Sequence, residues 1–235
     1  MSLFLTPDKI TTFSYQKKTA ITHFDREGLK QTEEYFVNRY FLKKKKILYL
    51  GCGTGRTSRE LVKLGFRVTA IDNSPAMIEE AKKKGKIQNP TYHVMDAASL
   101  LFSDNSFDIC LFSFNGLDYL YPETKRRSAI REIYRVLKPG GIFSFSSHNS
   151  LFLPNTVSRL VNLGKSVLKG KLSPYRWDFQ EFGPVITHVI SPNSELAELK
   201  SFGYNFLEIV SRYSKRPFFI TVLDPYPTYV CQKPK

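Results

Sequence analysis

An apolar run that breaks into three glycines within five residues leaves few folds open. Here Ile47-Leu48-Tyr49-Leu50 passes directly into Gly51-Cys52-Gly53-Thr54-Gly55. Glycine has no Cβ, so the chain can turn with φ > 0, and the helix that follows can present unpaired N–H groups to an anionic or polar ligand. This is the opening of a nucleotide-type site at a strand tip. A dinucleotide fingerprint places glycines at its first, third and sixth positions, whereas the sixth position here is Arg56 and the third glycine falls one residue early. Bound NAD is therefore disfavoured. A second strand, Arg67-Val68-Thr69-Ala70-Ile71, ends in Asp72, whose carboxylate at the neighbouring strand tip can accept both hydroxyls of a ribose. Loop and acid together predict a nucleoside site.

Three further segments follow in order. Val94-Met95-Asp96-Ala97-Ala98 places another acid at a third strand tip, and Ser106 to Ser113 reads as a central fourth strand. Val136 to Phe143 holds the turn into a fifth, with Pro139 and Gly140 suited to the two central positions of a type II turn. In this order and spacing the motifs resemble the class I S-adenosylmethionine-dependent methyltransferases, in particular the small-molecule branch known as methyltransferase type 11. The resemblance is close over roughly residues 35–147 and looser elsewhere. It implies S-adenosylmethionine as cofactor and S-adenosylhomocysteine as product, with Gly51 and Gly53 on the methionine part and Asp72 on the ribose. Asp96 would meet the adenine amino group and the Ala97 N–H the ring; Cys52, Gly55, Asn73, Met77 and Ser113 complete the expected cofactor contacts. The implied fold is α/β, a Rossmann-like doubly wound sheet of seven strands in the order 3-2-1-4-5-7-6, the last strand antiparallel, with an insertion after strand five.

Composition fits one such domain spanning residues 1–235, since a doubly wound sheet of this length is usually a single unit. The chain has no apolar stretch approaching the roughly 18–20 residues that span a membrane, and its first 18 residues lack the apolar run of a signal peptide. A cytoplasmic enzyme is the expectation. Cys52, Cys110 and Cys231 form no C-x-x-C pair, so neither a disulfide framework nor a zinc site is indicated, and no metal is expected. A formal charge of +14 suggests anionic partners. The lysine clusters at 43–46 and at 82–84 with Lys86 also read as ordinary solvated surface beside elements.

Residues 1–34 are expected to form an N-terminal lid, in which Tyr15 either faces the sulfonium as a cation–π partner or packs the lid onto the core. Strands are predicted near 47–50, 67–71, 91–95, 107–113 and 142–147, with helices near 56–64, 75–84 and 124–137. Ser74-Pro75 is a helix start signal, a capping hydroxyl followed by proline at the first helical position. A helix near 194–201 and strands near 205–211 and 228–232 complete the pattern. The insertion, residues 149–190, is the expected seat of substrate choice. Within it Val157, Leu160, Val161, Gly164, Val167 and Leu168 share one helical face, opposite Arg159, Asn162, Lys165 and Lys169. That stripe either closes over the active site or, with Leu151, Phe152 and Leu153, makes peripheral membrane contact through 151–169. Tyr175, Arg176, Trp177 and Phe179 either line a pocket or anchor the insertion.

Methyl transfer from a sulfonium is an in-line displacement, so alignment and water exclusion matter most, and an oxygen nucleophile gains from a general base. Candidate bases lie past strands four and five, at the carboxyl edge of the sheet. His148 is the first, because histidine as a residue type suits proton abstraction near neutral pH, and Asp118 the second, with helix capping as its competing role. The N/D-P-P-Y/F motif of amino-methylating relatives is absent, and Phe114-Asn115-Gly116 stands in its place. The reading is a methyltransferase acting on a small-molecule acceptor, a hydroxyl of a metabolite or saccharide. The alternatives are an RNA methyltransferase, a membrane-associated lipid or quinone methyltransferase, and a non-catalytic cofactor-binding regulator.

Overall fold

The computed structural model describes residues 6–41, 45–84, 90–152, 173–211, 220 and 222–235. Three helices come first: α1 (Pro7–Gln16), α2 (Lys18–Phe24) and α3 (Gln31–Tyr40). Then β1 (Lys46–Leu50), α4 (Arg56–Lys63), β2 (Arg67–Asp72), α5 (Pro75–Lys83), β3 (Thr91–Val94) and β4 (Phe107–Phe112) alternate as the apolar pattern requires. A short 3-10 turn (Gly116–Tyr119), α6 (Glu123–Val136) and β5 (Leu137–Ser146) follow. The last elements are a hairpin of β6 (Tyr175–Gln180) and β7 (Gly183–His188), then α7 (Pro192–Ser201), β8 (Asn205–Val210) and β9 (Thr228–Gln232).

The main sheet has seven strands in the order β3-β2-β1-β4-β5-β9-β8. Strands β1 to β5 run parallel, and β9 is antiparallel to both β5 and β8. With the hairpin set aside as its own two-stranded sheet, this is the predicted order 3-2-1-4-5-7-6. Apolar side chains cover both faces, as a central parallel sheet demands. One layer gathers Leu48, Leu50, Cys110, Ile130, Ile133 and Phe143, and the other Phe36, Ile47, Leu61, Val68, Ile109 and Leu111. Among the described residues no helix is long and apolar enough to cross a membrane.

Three details depart from the sequence reading. The expected lid boundary at residue 34 falls inside α3, whose Phe36 and Val37 pack beneath the sheet with Phe41, so only α1 and α2 are free to overhang the strand tips. The fifth strand begins at Leu137 rather than near 142, because Leu137 already pairs with Phe107 before the register shifts and Ile142 resumes opposite Ile109. The insertion holds a β-hairpin at 175–188. The amphipathic helix expected at 155–169, and Lys43, Lys44 and Lys86 of the basic clusters, lie outside the described residues.

The turn from β1 into α4 depends on one glycine in particular. Gly55 caps α4 at φ +81°, and a Cβ there would stand 2.3 Å from the Tyr92 hydroxyl oxygen. Gly55→Val is therefore expected to destabilise the fold by about 3 kcal/mol, left-handed strain of roughly 1–2 kcal/mol adding to overpacking of similar size. Urea denaturation measures this, and a loss below about 1 kcal/mol would mean that the loop relaxes around the side chain.

Candidate active site

The carboxyl ends of β1, β2, β3 and β4 open into a cavity of about 350 Å³. Of the predicted cofactor positions, Tyr15, Gly51, Cys52, Gly53, Asp72, Asn73, Met77, Asp96 and Ala97 line it, and so does His148. Three predicted residues stand elsewhere. Gly55 sits behind the loop as the helix cap, Ser113 lines an adjoining cavity of about 390 Å³, and Asp118 is fully buried beneath the 3-10 turn rather than in the cavity wall.

Asp72 ties the tips of β1 and β2 together. Its Oδ2 accepts the Gly53 N–H at 2.8 Å and its Oδ1 the Ser74 N–H at 2.9 Å, so the acid at the tip of β2 holds the glycine loop at the tip of β1. Burial pushes this carboxyl up, and the N–H groups of Ser74, Gly53 and Asn73 oppose that by binding the anion. A carboxylate oxygen has a second lone pair, so both oxygens keep acceptor capacity for a pair of vicinal hydroxyls. At β3, Asp96 Oδ1 accepts the Ala98 N–H at 2.9 Å while Oδ2 meets Lys125 Nζ at 2.8 Å. Lys125 also lines the cavity and had no distinguishing mark in the sequence. Burial raises the Cys52 thiol well above its usual range, which keeps it protonated and makes it wall rather than nucleophile. Bare loop backbone, a paired-acceptor carboxylate and a second acid two strands away fit the ribose and amino groups of an adenosyl cofactor.

The N-terminal helices are tied to this loop by Arg56, the residue that displaced the expected third glycine. Arg56 Nη2 reaches both carboxylate oxygens of Glu33 at 2.9 and 2.8 Å, with Arg56 and Glu33 both buried, and its Nη1 bonds the Gly28 carbonyl. Thr54 adds a hydroxyl bond to the Phe24 carbonyl at 3.1 Å. Opposite the loop the wall is aromatic. The Tyr15 ring lies 5.1 Å from Phe182, 5.5 Å from Tyr119 and 5.8 Å from Phe24, so it both packs the overhang and borders the cavity. Burial raises the Tyr15 and Tyr119 phenols, which stay neutral hydroxyls. The hairpin closes this side by bonding to α1: Ser14 Oγ donates to the Pro184 carbonyl at 2.8 Å, and the Ile186 N–H donates to Thr11 Oγ1 at 2.9 Å.

Past β4 and β5 stand the candidate bases. His148 Nδ1 lies 2.8 Å from Asp118 Oδ2, and the same oxygen accepts the His148 backbone N–H at 2.6 Å. The imidazole is held edge-on between Tyr119 and Tyr226, at 5.8 and 5.1 Å. Nδ1 is the ring nitrogen that faces Asp118, and Nε2 lies on the other side of the imidazole. Asp118 itself is turned away from the cavity, its oxygens meeting the Ser147 hydroxyl and the backbone N–H and Nδ1 of His148. Phe114 and Asn115 between the two strands both adopt left-handed φ, at 56° and 57°, the kind of strain that collects at functional sites.

Behind this pair lies a network that no local motif announces. Ser147 bridges Asp118 to Glu195 on α7, and the fully buried Arg126 of α6 bonds both Glu195 and Glu198. Asp118, His188 and Glu195 bring candidate ligand atoms within 4.8 Å of one another, but the Asp118 and Glu195 oxygens already meet N–H, hydroxyl and guanidinium donors, so the cluster reads as a hydrogen-bond network. Burial drives His188 down to about 4, leaving it neutral.

Comparison with known proteins bears on the same region. Residues 47–141 match the family model described as a methyltransferase domain. A malonyl-acyl-carrier-protein O-methyltransferase of Buchnera aphidicola is 38% identical over 118 residues, covering 49% of this chain and 45% of that protein. A ubiquinone/menaquinone biosynthesis C-methyltransferase of Zymomonas mobilis is 38% identical over 100 residues, covering 41% of this chain and 40% of its own. The chain thus spans less than half the length of these curated relatives. Among solved structures, a SAM-dependent methyltransferase from Methanosarcina mazei aligns at a TM-score of 0.69 and 21% identity, over 85% of this chain and 97% of the other, which shows a shared fold.

Proposed function

We propose, for a chain that carries a class I S-adenosylmethionine-dependent methyltransferase domain, that it methylates a hydroxyl of a small-molecule acceptor, with His148 as general base. The observation that carries this reading is the His148–Asp118 pair at the carboxyl edge of the sheet, with the imidazole in the cavity wall and its Nδ1 held at 2.8 Å. The relatives include one named for O-methylation and one named for C-methylation, and a buried His–Asp pair favours oxygen, because a neutral alcohol gains most from losing its proton as it attacks.

When bound, S-adenosylmethionine supplies an electrophilic methyl group on a sulfonium. The loop at Gly51 and Gly53 would hold its amino-acid end, Asp72 and Asn73 its ribose, and Asp96 and Ala97 its base, while Met77 would pack beneath it. The aromatic wall of Tyr15, Phe24, Tyr119 and Phe182 excludes water and presents ring faces suited to a cation. His148 Nε2 takes the hydroxyl proton, and Asp118 steadies the resulting imidazolium at Nδ1. The whole chain acts as one domain, with α1, α2 and the hairpin forming the acceptor side.

A labelled-methyl screen over sugars, phenols, hydroxy acids, lipids and RNA, run with wild type and His148→Ala, tests the proposal. General-base catalysis is worth on the order of 10²–10⁴ in rate, so the variant should lose about two orders of magnitude in kcat while binding the cofactor as before. Unchanged turnover in His148→Ala would remove it as base, and label appearing only in RNA or lipid would replace the acceptor class.

A further inference from the structure

Behind His148, the contacts of one hydroxyl constrain where a buried proton sits. Ser147 Oγ stands 3.0 Å from Asp118 Oδ1 and 3.2 Å from Glu195 Oε2, with all three residues at most 1% exposed. A serine hydroxyl carries a single proton and can donate to only one of these carboxyls. If both were ionised, the other contact would oppose two lone pairs in a dry interior, where an unmade hydrogen bond is costly. One of the two carboxyls must therefore supply the second proton. Asp118 is the poorer candidate, because its Oδ2 already accepts the His148 backbone N–H at 2.6 Å and lies 2.8 Å from Nδ1, which adds a second donor in the tautomer that leaves Nε2 unprotonated. Glu195 shares its one guanidinium, Arg126, with Glu198.

We propose that Glu195 is held as a neutral carboxylic acid whose Oε2–H donates to Ser147 Oγ, with Ser147 donating in turn to Asp118 Oδ1, which makes Glu195 a positioning residue for the His148 base. This rests on the hydroxyl-methylation reading for its catalytic meaning, but not for the location of the proton. The environment agrees: burial raises the Glu195 carboxyl to about 7, with Arg126 opposing and Asp118 and Glu198 reinforcing the shift. The groups that face it are Arg126 from α6, Asp118 from the 3-10 turn, His188 from β7, Tyr229 and Cys231 from β9, and Glu198 on its own helix. With Glu195 neutral, the donors run one way along the chain and Asp118 keeps its charge for His148. The imidazole proton then stays on Nδ1, and the Nε2 lone pair faces the acceptor. Loss of the Glu195 proton makes two anions compete for one serine hydroxyl, and His148 loses its fixed tautomer.

Infrared difference spectroscopy of the full chain, without acceptor, reads the proton directly. In buffer just below neutrality the wild type should show the carbonyl stretch of a protonated carboxylic acid, absent in Glu195→Gln and shifted in Ser147→Ala, where its hydrogen-bond acceptor is gone. In turnover assays, the limb of the kcat–pH profile that follows this band in wild type should vanish in Glu195→Gln. Absence of the band, or its loss in Asp118→Asn rather than Glu195→Gln, would overturn the proposal. A band assigned to Glu195 together with unimpaired His148→Ala turnover would instead leave the buried acid in place and remove the base.

Discussion

Arg126→Ala is expected to cost about 3–5 kcal/mol of stability, the scale for breaking a buried ion pair from one side. Against a total of roughly 5–15 kcal/mol for a domain, this brings the protein close to unfolding at ambient temperature. Arg126 is fully buried in α6 and bonds Glu195 and Glu198 of α7, so its removal leaves Glu198 without its buried cation and Glu195 without a guanidinium donor inside the core. The loss has a pH signature whose sign is fixed. The guanidinium opposes the burial that raises the Glu195 carboxyl to about 7, so without it the native state holds that proton to higher pH while the unfolded form has released it, and the deficit grows as pH rises above neutrality. The deficit relative to wild type should shrink on acidification. Urea denaturation at two pH values checks both statements, and a deficit that is small or independent of pH would show that the pair is not the tie between α6 and α7.

The other large effect falls on the cofactor. Asp72→Ala should weaken binding of S-adenosylmethionine and S-adenosylhomocysteine alike by on the order of 10²–10⁴-fold, because two charge-assisted hydrogen bonds worth about 1.5–3 kcal/mol each are lost together. Two consequences combine here. The ribose loses its acceptor, and the Gly53 and Ser74 N–H groups lose the carboxylate that holds the loop against the tip of β2. Asp72→Asn separates them, since an amide keeps one acceptor oxygen and loses the charge, and it should fall between wild type and alanine. Calorimetric titration gives the affinities, and equal binding by Asp72→Ala would place the nucleoside elsewhere.

What the sequence made legible was local. The glycine loop and the acids at the tips of β2 and β3 rest on short motifs whose spacing carries their meaning, and the seven-stranded order came with the family resemblance that those motifs carry. Arg56 shows where local reading stops. It was visible as the residue that excluded a dinucleotide loop, but its buried contact with Glu33 joins positions 23 apart, and no periodicity reports that. Arg126, Ser147 and Glu195 are more distant still, lying on α6, just past the end of β5 and on α7. The hairpin did carry a signal, since Tyr175, Trp177 and Phe179 alternate with Arg176, Asp178 and Gln180. The structure turns that pattern outward, leaving Trp177 and Phe179 exposed, so an aromatic alternation that normally marks a buried face marks a solvent face here.

The seam between α1 and the hairpin joins parts of the chain that lie on either side of residues 47–141, the stretch that matches the family model. Gly51, Asp72 and Asp96 of the cavity lining fall inside that stretch, whereas Tyr15, Phe24 and Phe182 come from outside it. That outer wall is held together by bonds such as Ser14 to Pro184 and Ile186 to Thr11, 170 and 175 positions apart. A change on either side of the seam therefore reshapes the wall through its partner, while the bonds between the glycine loop and Asp72 stay as they are.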